Sequence, residues 1–341
     1  MTFAVTGGSG FFGRALLRRL AERGETARAL ARSADSAQRV EALGAEVHRG
    51  DLTDPTSLRG FVRPGDVLIH AAAHVDLVGR WTMYQLGTVD ATRNLLEAAL
   101  PSRPARVVYV SSAGVYGRLD PRGLCAERNT PQPRRAEFYG RAKLAAEAIV
   151  QQHCTQAEVP WCIVRLGFLY GPHNETFERR LRIFRSAGSL SIVGRGDNRI
   201  ATLYVDDAAD AVILAATHPA ANGRIYDAAS DERVTQAEFM RAHCAALGLG
   251  AITRHLPVWL GLVGGLAAEL ISSLTGQVPD VNRAAVRLMA ADQAVDAGRL
   301  RRELGWAPRY SFREGIERVR LSQHDAAAAP VAGDAAPRES A

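Results

Sequence analysis

The chain holds a single lysine among its 42 basic residues, and that lysine, Lys143, stands four residues after Tyr139. On a helix, residues i and i+4 share a face one turn apart. A tyrosine and a lysine held side by side form an acid/base device. The ammonium favours the phenolate and so lowers the phenol's pKa. A compact ammonium also donates to a hydroxyl with a geometry that a planar guanidinium does not reproduce. With only eight tyrosines in the chain, a chance pairing with the sole lysine is a poor explanation. Alone, such a pair reads as two solvated residues on a helix surface. What precedes it in the chain decides between the two readings.

The chain begins with a short apolar strand, Phe3-Ala4-Val5-Thr6. It runs into Gly7-Gly8-Ser9-Gly10-Phe11-Phe12-Gly13 and then into a helix over 14–23. Gly7, Gly10 and Gly13 have the spacing of a dinucleotide-binding turn. The first allows the tight turn, the second lets the backbone approach a pyrophosphate, and the third lets helix pack on strand. The phosphates would rest on the free N–H groups of the helix N-terminus. Strand and helix patterns then alternate. Strands are predicted at 26–30, 66–70 and 106–110, a helix at 88–100, and a return strand at 225–228. This predicts an α/β fold with a doubly wound parallel Rossmann sheet. Ligands bind such sheets at the carboxyl ends of the strands, where Asp51, Ala71, Ala72, Ala73 and Ser111-Ser112 fall. The second strand ends without an acid and is followed by Arg32. Arg32 is placed for a 2′-phosphate, which favours NADP. The other reading makes Arg32 one of many surface arginines and the cofactor NAD.

With 341 residues, 47% hydrophobic and 23% charged, the chain is an ordinary globular protein with a sizeable core. Its formal charge is +6, but the arginines are scattered and no basic run is interleaved with aromatics. Nucleic-acid binding therefore has no support. The four cysteines form no metal spacing and read as reduced, packed thiols, and the histidines form no metal-like group, so no metal is expected. No signal peptide is read at the start, and a cytoplasmic location is expected. The apolar stretch 256–274 contains Pro257, several glycines and Glu269, and reads as a buried or interfacial helix rather than a membrane span. From 322 to 341 the composition predicts a disordered tail.

At Ser111-Ser112 and Tyr139…Lys143 the chain resembles the extended short-chain dehydrogenase/reductases, the NAD-dependent epimerase/dehydratase family. Further matches are the glycine turn, Gly50-Asp51-Leu52, His70-Ala71-Ala72-Ala73, Arg165…Tyr170-Gly171-Pro172, Val205-Asp206-Asp207 and Leu304-Gly305-Trp306. The resemblance implies a catalytic set of Ser112, Tyr139 and Lys143. Tyr139 would be the general acid/base, Lys143 would hold the nicotinamide ribose, and Ser112 would bond the reacting oxygen. It implies cofactor contacts from Gly7, Gly10, Phe11, Phe12, Gly13, Arg32, Asp51, Leu52, Ala71, Ala72 and Ala73, with Asp51 on the adenine. His173 and Asn174 are expected beside the substrate, with Ser112 and Tyr139. Asp206 and Asp207 are expected to cap and pack the helix that follows.

The departures from the family pattern are informative. Thr88 replaces an Asn and Leu166 a Pro. Ala113 and Gly114 stand where dehydratases carry an acid, which disfavours water elimination. Ile200 stands where sugar-nucleotide epimerases carry an Arg, with Arg199 beside it. The apolar C-terminal part is similar to the 3β-hydroxysteroid dehydrogenase-like branch. The expected organisation is a cofactor domain of 1–165 plus about 200–230, and a smaller, mostly helical substrate lobe of about 166–199 and 231–320. The expected activity is hydride exchange between NAD(P) and a secondary alcohol or ketone on an apolar substrate such as a steroid, sterol or β-keto acid. The alternatives are a sugar-nucleotide epimerase with tightly bound NAD, and a non-catalytic NADP-binding sensor. The resemblance also implies a homodimer through helices 88–100 and 139–153. The apolar lobe would form an apolar pocket, touch a membrane surface peripherally, or hold 256–274 as a plain packed helix.

Overall fold

The computed structural model describes residues 1–76, 79–117, 124–275 and 281–328. The first half runs β1 (Thr2–Thr6), α1 (Phe11–Glu22), β2 (Thr26–Ala31), α2 (Ala34–Glu41), β3 (Glu46–Arg49), β4 (Val67–His70), α3 (Trp81–Tyr84), α4 (Ala91–Ala99), β5 (Arg106–Ser112), α5 (Phe138–Gln156) and β6 (Trp161–Leu166). The second half runs β7 (Phe168–Tyr170), α6 (Glu175–Ser186), β8 (Ile192–Val193), β9 (Arg199–Ile200), β10 (Thr202–Tyr204), α7 (Val205–Thr217), β11 (Arg224–Ala228), β12 (Val234–Thr235), α8 (Gln236–Ala246), β13 (His255–Leu256), α9 (Val258–Thr275), α10 (Arg283–Ala290), α11 (Gly298–Leu304) and α12 (Phe312–Ala328).

Seven strands form one sheet in the order β11-β6-β5-β4-β1-β2-β3, and every pairing in it is parallel. Helices cover both faces, so the strands are apolar throughout rather than alternating. Val108 and Val110 of β5 face Leu16, Leu17 and Leu20 of α1 and Val212 of α7. Val107 and Tyr109 face Leu95 and Leu96 of α4 and Ala142, Ala146 and Val150 of α5. The strand order reverses between β1 and β4. The crevice there is where such sheets bind ligands, and the glycine turn and Ala71–Ala73 flank it.

The second lobe packs Tyr170, Leu181, Ile192, Phe239, Met240 and Val319 into a core of its own. Its short strands pair β7 with β10, β8 with β13 and β9 with β12. The division of the chain is finer than the sequence suggested. Ala297, Leu300, Leu304 and Trp306 join the core of the main sheet, and Trp306 Nε1 donates to the Asp207 carbonyl at 3.2 Å. Residues around α11 therefore belong with the cofactor domain, and α12 returns to the lobe through Val319. Helix continues to Ala328, past the expected start of the tail at 322. The rest of that stretch lies outside the described residues.

The helix expected at 88–100 begins earlier, at Trp81, and passes through a π-helical turn over Gln85–Asp90. Within that wide turn Thr88 Oγ1 accepts from the His74 N–H at 3.0 Å and tethers the segment after β4. Asp206 and Asp207 make structural contacts, but neither caps α7, whose N-terminus has no side-chain cap. Asp206 pairs with Arg18, and Asp207 accepts the N–H groups of Arg309 and Tyr310 at 2.9 and 3.2 Å. All four cysteines are free and buried.

Candidate active site

The turn after β1 is built from contacts that only glycine permits. Gly7 has φ +75°, and a Cβ there would stand 2.8 Å from the Ala72 nitrogen; a Cβ on Gly13 would stand 2.0 Å from the Gly7 carbonyl oxygen. Gly10 is the N-cap of α1. No side chain caps this helix end, and no acid occupies its first turn. Orphan amides and the helix dipole are thus offered to an anion.

Behind the turn lies a satisfied buried relay. Thr6 Oγ1 meets His70 Nδ1 at 2.7 Å, His70 Nε2 meets Thr92 Oγ1 at 2.9 Å, and Thr92 donates to the Thr88 carbonyl at 2.6 Å. That chain of donors places the His70 proton on Nε2. Thr6 Oγ1 also accepts the Ala72 N–H at 3.2 Å. Burial, aided by the Lys143 charge, pushes His70 down to about 3, so the ring is neutral.

The chemistry-bearing side chains gather at the carboxyl end of β5. Ser112 Oγ accepts the Gly114 N–H at 3.1 Å and caps the short turn Ala113–Val115. Helix α5 approaches this turn closely: a Cβ on Gly140 would lie 2.4 Å from the Gly114 carbonyl oxygen. The approach brings Tyr139 to Ser112. A methyl on Gly114 would touch Ser112 Oγ at 3.4 Å and the Tyr139 ring at 3.8 Å. Ser112 and Tyr139 thus adjoin at the end of β5.

One turn on, Lys143 is buried. Its Nζ donates to the Val110 carbonyl at 2.8 Å and lies 4.7 Å from the centre of the Tyr109 ring. Ser112, Tyr139 and Lys143 therefore converge. The lowered tyrosine pKa expected from the spacing is not realised. Burial pushes the Tyr139 phenol up to about 12, against the opposing bond from Ser112, and pushes the Lys143 ammonium down to about 7, against the charge of Glu147. Desolvation disfavours both charged forms.

Beneath Lys143 lies a set that spacing alone did not single out. Glu147, again four residues on, accepts from Arg165 Nε at 2.9 Å and Nη2 at 2.6 Å and from Ser111 Oγ at 2.5 Å. Arg165 Nη1 donates to the Tyr116 hydroxyl at 3.0 Å. Tyr116 in turn donates to Asp227 Oδ1 at 2.8 Å, and Asp227 Oδ2 accepts the Ala126 N–H at 2.7 Å. Burial holds Asp227 up at about 7. The signal in the sequence was Tyr139-x3-Lys143-x3-Glu147, one helical face of three chemical residues.

The remaining candidates spread along the cofactor crevice. Arg32 is 78% exposed just past β2, with its Nε 3.8 Å from Asp51 Oδ2. Asp51 Oδ1 also accepts from the N–H and hydroxyl of Thr53, both at 2.9 Å. Leu52 is half-buried, and its carbonyl accepts from Asn94 Nδ2 at 2.9 Å. Phe11 and Phe12 are half-buried in the first turn of α1. Asn174 Oδ1 caps α6 through the Phe177 N–H at 3.3 Å, so that acceptor is already engaged. The exposed His173 has φ +65°, and its carbonyl accepts from Arg14 Nη2 at 2.8 Å. Arg14 is in α1, so this contact ties residues 173–174 to the cofactor cradle. Arg199 binds Asp292 through Nε, at 3.0 Å to each oxygen, and through Nη2 at 2.6 Å.

Residues 3–229 match the NAD dependent epimerase/dehydratase family. The chain is 31% identical to a 4-hydroxy-2-methyl-3-oxo-4-farnesyl-3,4-dihydroquinoline-1-oxide ketoreductase of Stigmatella aurantiaca, over 93% of this chain and 95% of that one. It is 27% identical to a 2-alkyl-3-oxoalkanoate reductase of Shewanella oneidensis, over 93% of this chain and 85% of that one. Its fold matches that of Thermus thermophilus UDP-glucose 4-epimerase in complex with NAD at a TM-score of 0.74, with 22% identity over 96% of this chain and all of that one. The glycine cradle, the convergent Ser112, Tyr139 and Lys143, and a family match over two thirds of its length agree: the chain belongs to the NAD-dependent epimerase/dehydratase family, enzymes of the extended short-chain dehydrogenase/reductase type.

Proposed function

We propose that the chain is a ketone reductase that works on a largely apolar substrate and takes NADPH in preference to NADH. The observation that carries this reading is the placement of Tyr139 beside Ser112 at the carboxyl end of β5. Burial pushes its phenol up to about 12, which keeps it protonated through the neutral range. A protonated phenol suits reduction, in which the new alkoxide must receive a proton.

The uncapped N-terminus of α1 and the tight Gly7–Gly13 turn fit a dinucleotide pyrophosphate. A nicotinamide cofactor bound there supplies the hydride. The hydroxyls of Ser112 and Tyr139 hold the carbonyl oxygen of the substrate, and Tyr139 gives its proton to that oxygen as the C–H bond forms. Lys143, fixed by the Val110 carbonyl, supports the phenolate that remains. Arg32, exposed beside Asp51, supports the choice of NADPH by offering a cation to a 2′-phosphate.

One feature weighs against a sugar-nucleotide substrate and another against dehydration. Arg199 is committed to both oxygens of Asp292 and is not available for a diphosphate. Ala113 and Gly114 offer no second acid/base beside Ser112. Relatives that reduce ketones on long or prenylated frameworks support the apolar substrate, and a homodimer through α4 and α5 is part of the same proposal. The first test is to denature the purified protein and identify any nucleotide released. An empty protein that oxidises NADPH when given β-keto acids or steroid ketones supports the reading. Stoichiometric NAD retained through turnover would overturn it in favour of epimerisation.

A further inference from the structure

Helix α9 is packed with its polarity inverted. Gly261 and Gly265 lie against α10, where a Cβ on Gly265 would stand 2.8 Å from the Arg283 nitrogen and one on Gly261 would stand 3.0 Å from Val286. The only charged residue of the helix, Glu269, is on this inner side and is held by Arg283 through its backbone N–H at 2.9 Å and its Nη2 at 2.6 Å. The outer side carries Trp259, Val263, Leu266, Leu270, Ile271 and Leu274. All are exposed, Trp259 by 66% and Leu274 by 87%. An 18-residue helix presenting such a face to water marks an interaction site.

The face itself indicates its partner. Protein interfaces carry about one hydrogen bond per 100–200 Å² and a polar rim. Among the described residues, the outer side of α9 offers no charged or amide side chain for such bonds. A hydrocarbon surface needs none.

The charges beside the helix complete the case. Just before α9, a groove of about 270 Å³ is lined by Arg185, Gly188, Leu190, Ile252 and Arg254 among others. Both arginines are exposed and donate only to carbonyls, Arg185 to Ala251 at 3.2 Å and Arg254 to Gly188. Neither has a carboxylate partner among the described residues, and the exposed His255 adjoins them. Unpaired cations next to an apolar helix face with a tryptophan at its start match the two zones of an anionic bilayer surface. No helix among the described residues is long and apolar enough to cross a membrane.

We infer that α9 docks in the plane of an anionic lipid surface, its outer face among the acyl chains and the Arg185–Arg254 groove on headgroup phosphates. The inference does not depend on which ketone the active site takes.

The test is flotation of the full chain with vesicles of phosphatidylcholine containing phosphatidylglycerol, compared with phosphatidylcholine alone. The protein is expected to float with the anionic vesicles and to be released by salt. The double substitution Leu266→Glu with Leu270→Glu is expected to reduce partition at least about ten-fold, as is Arg185→Ala with Arg254→Ala. Circular dichroism and nucleotide binding should be unchanged in both. No flotation of the wild-type chain, or equal flotation of the α9 variant, overturns the inference. So does a fall in solution mass of the α9 variant, which would assign the face to a second copy of the chain.

Discussion

Replacing Glu147 by Gln tests whether the active site stands on the ion pair beneath it. Glu147 is 1% exposed and accepts two bonds from the 3% exposed Arg165 and one from Ser111. Glutamine keeps the shape and one acceptor oxygen but leaves the Arg165 charge without its directly bonded carboxylate. Removing one member of a buried pair costs about 3–5 kcal/mol, and retention of the side-chain volume puts the expected loss near the lower end, about 3 kcal/mol. Against a typical total of about 5–15 kcal/mol, this is readily measured by urea unfolding at pH 7. Glu147 also supports the charged form of Lys143, which burial already holds down at about 7. Its loss moves the Lys143 pKa lower, so the alkaline limb of any step that needs the ammonium shifts to lower pH. Adding Arg165→Met to the variant removes the orphaned charge and is expected to recover part of the stability, which a mere packing defect would not allow. A loss below about 1 kcal/mol together with an unmoved pH profile would refute a supporting role for the pair.

Three further outcomes are expected. Tyr139→Phe should lower turnover about 10²–10⁴-fold, while the dissociation constant for NADPH, read by fluorescence titration, stays nearly constant; retained turnover would remove the acid/base assignment. Arg32→Ala should weaken NADPH by about 1.5–3 kcal/mol, the value of a charge-assisted bond, and leave NADH nearly unaffected; equal effects on both would sink the preference for NADPH. His243→Phe should flatten the acid side of the stability curve. The His243 ring is buried in the lobe core against Phe239, with Nδ1 2.9 Å from the Phe239 carbonyl, and burial lowers it to about 4 from 6.5. Its folded pKa is depressed, so between pH 6.5 and about 4 the unfolded chain binds the extra proton. Stability is full above that window and falls through it by up to about 3 kcal/mol. Urea midpoints at pH 7 and pH 4.5 measure the difference. His70, pushed down to about 3, acts in the same direction and keeps a residual slope in the variant.

What the sequence disclosed and what it withheld divide along a physical line. The glycine cradle was legible because each position has a single conformational solution: a positive φ at Gly7 and a close approach of Gly13 to the Gly7 carbonyl. The parallel sheet was legible because strands covered on both faces are apolar without alternation. Tyr139 and Lys143 were legible because helix geometry turns a spacing of four into adjacency. Other features depend on three-dimensional placement that no spacing encodes. The partner of Glu147 is 18 residues away, on strand β6, and Asp227 reaches Tyr116 across 111 positions. The direction of the Tyr139 shift was misread because spacing reports the neighbouring charge and not the water lost on burial. That loss sets the shift. It leaves Tyr139 protonated and the Lys143 charge sensitive to the carboxylate below it. The readings of Tyr139 as a proton donor in reduction and of Glu147 as the support for Lys143 share this one cause, so the pH profile of the Glu147→Gln variant bears on both.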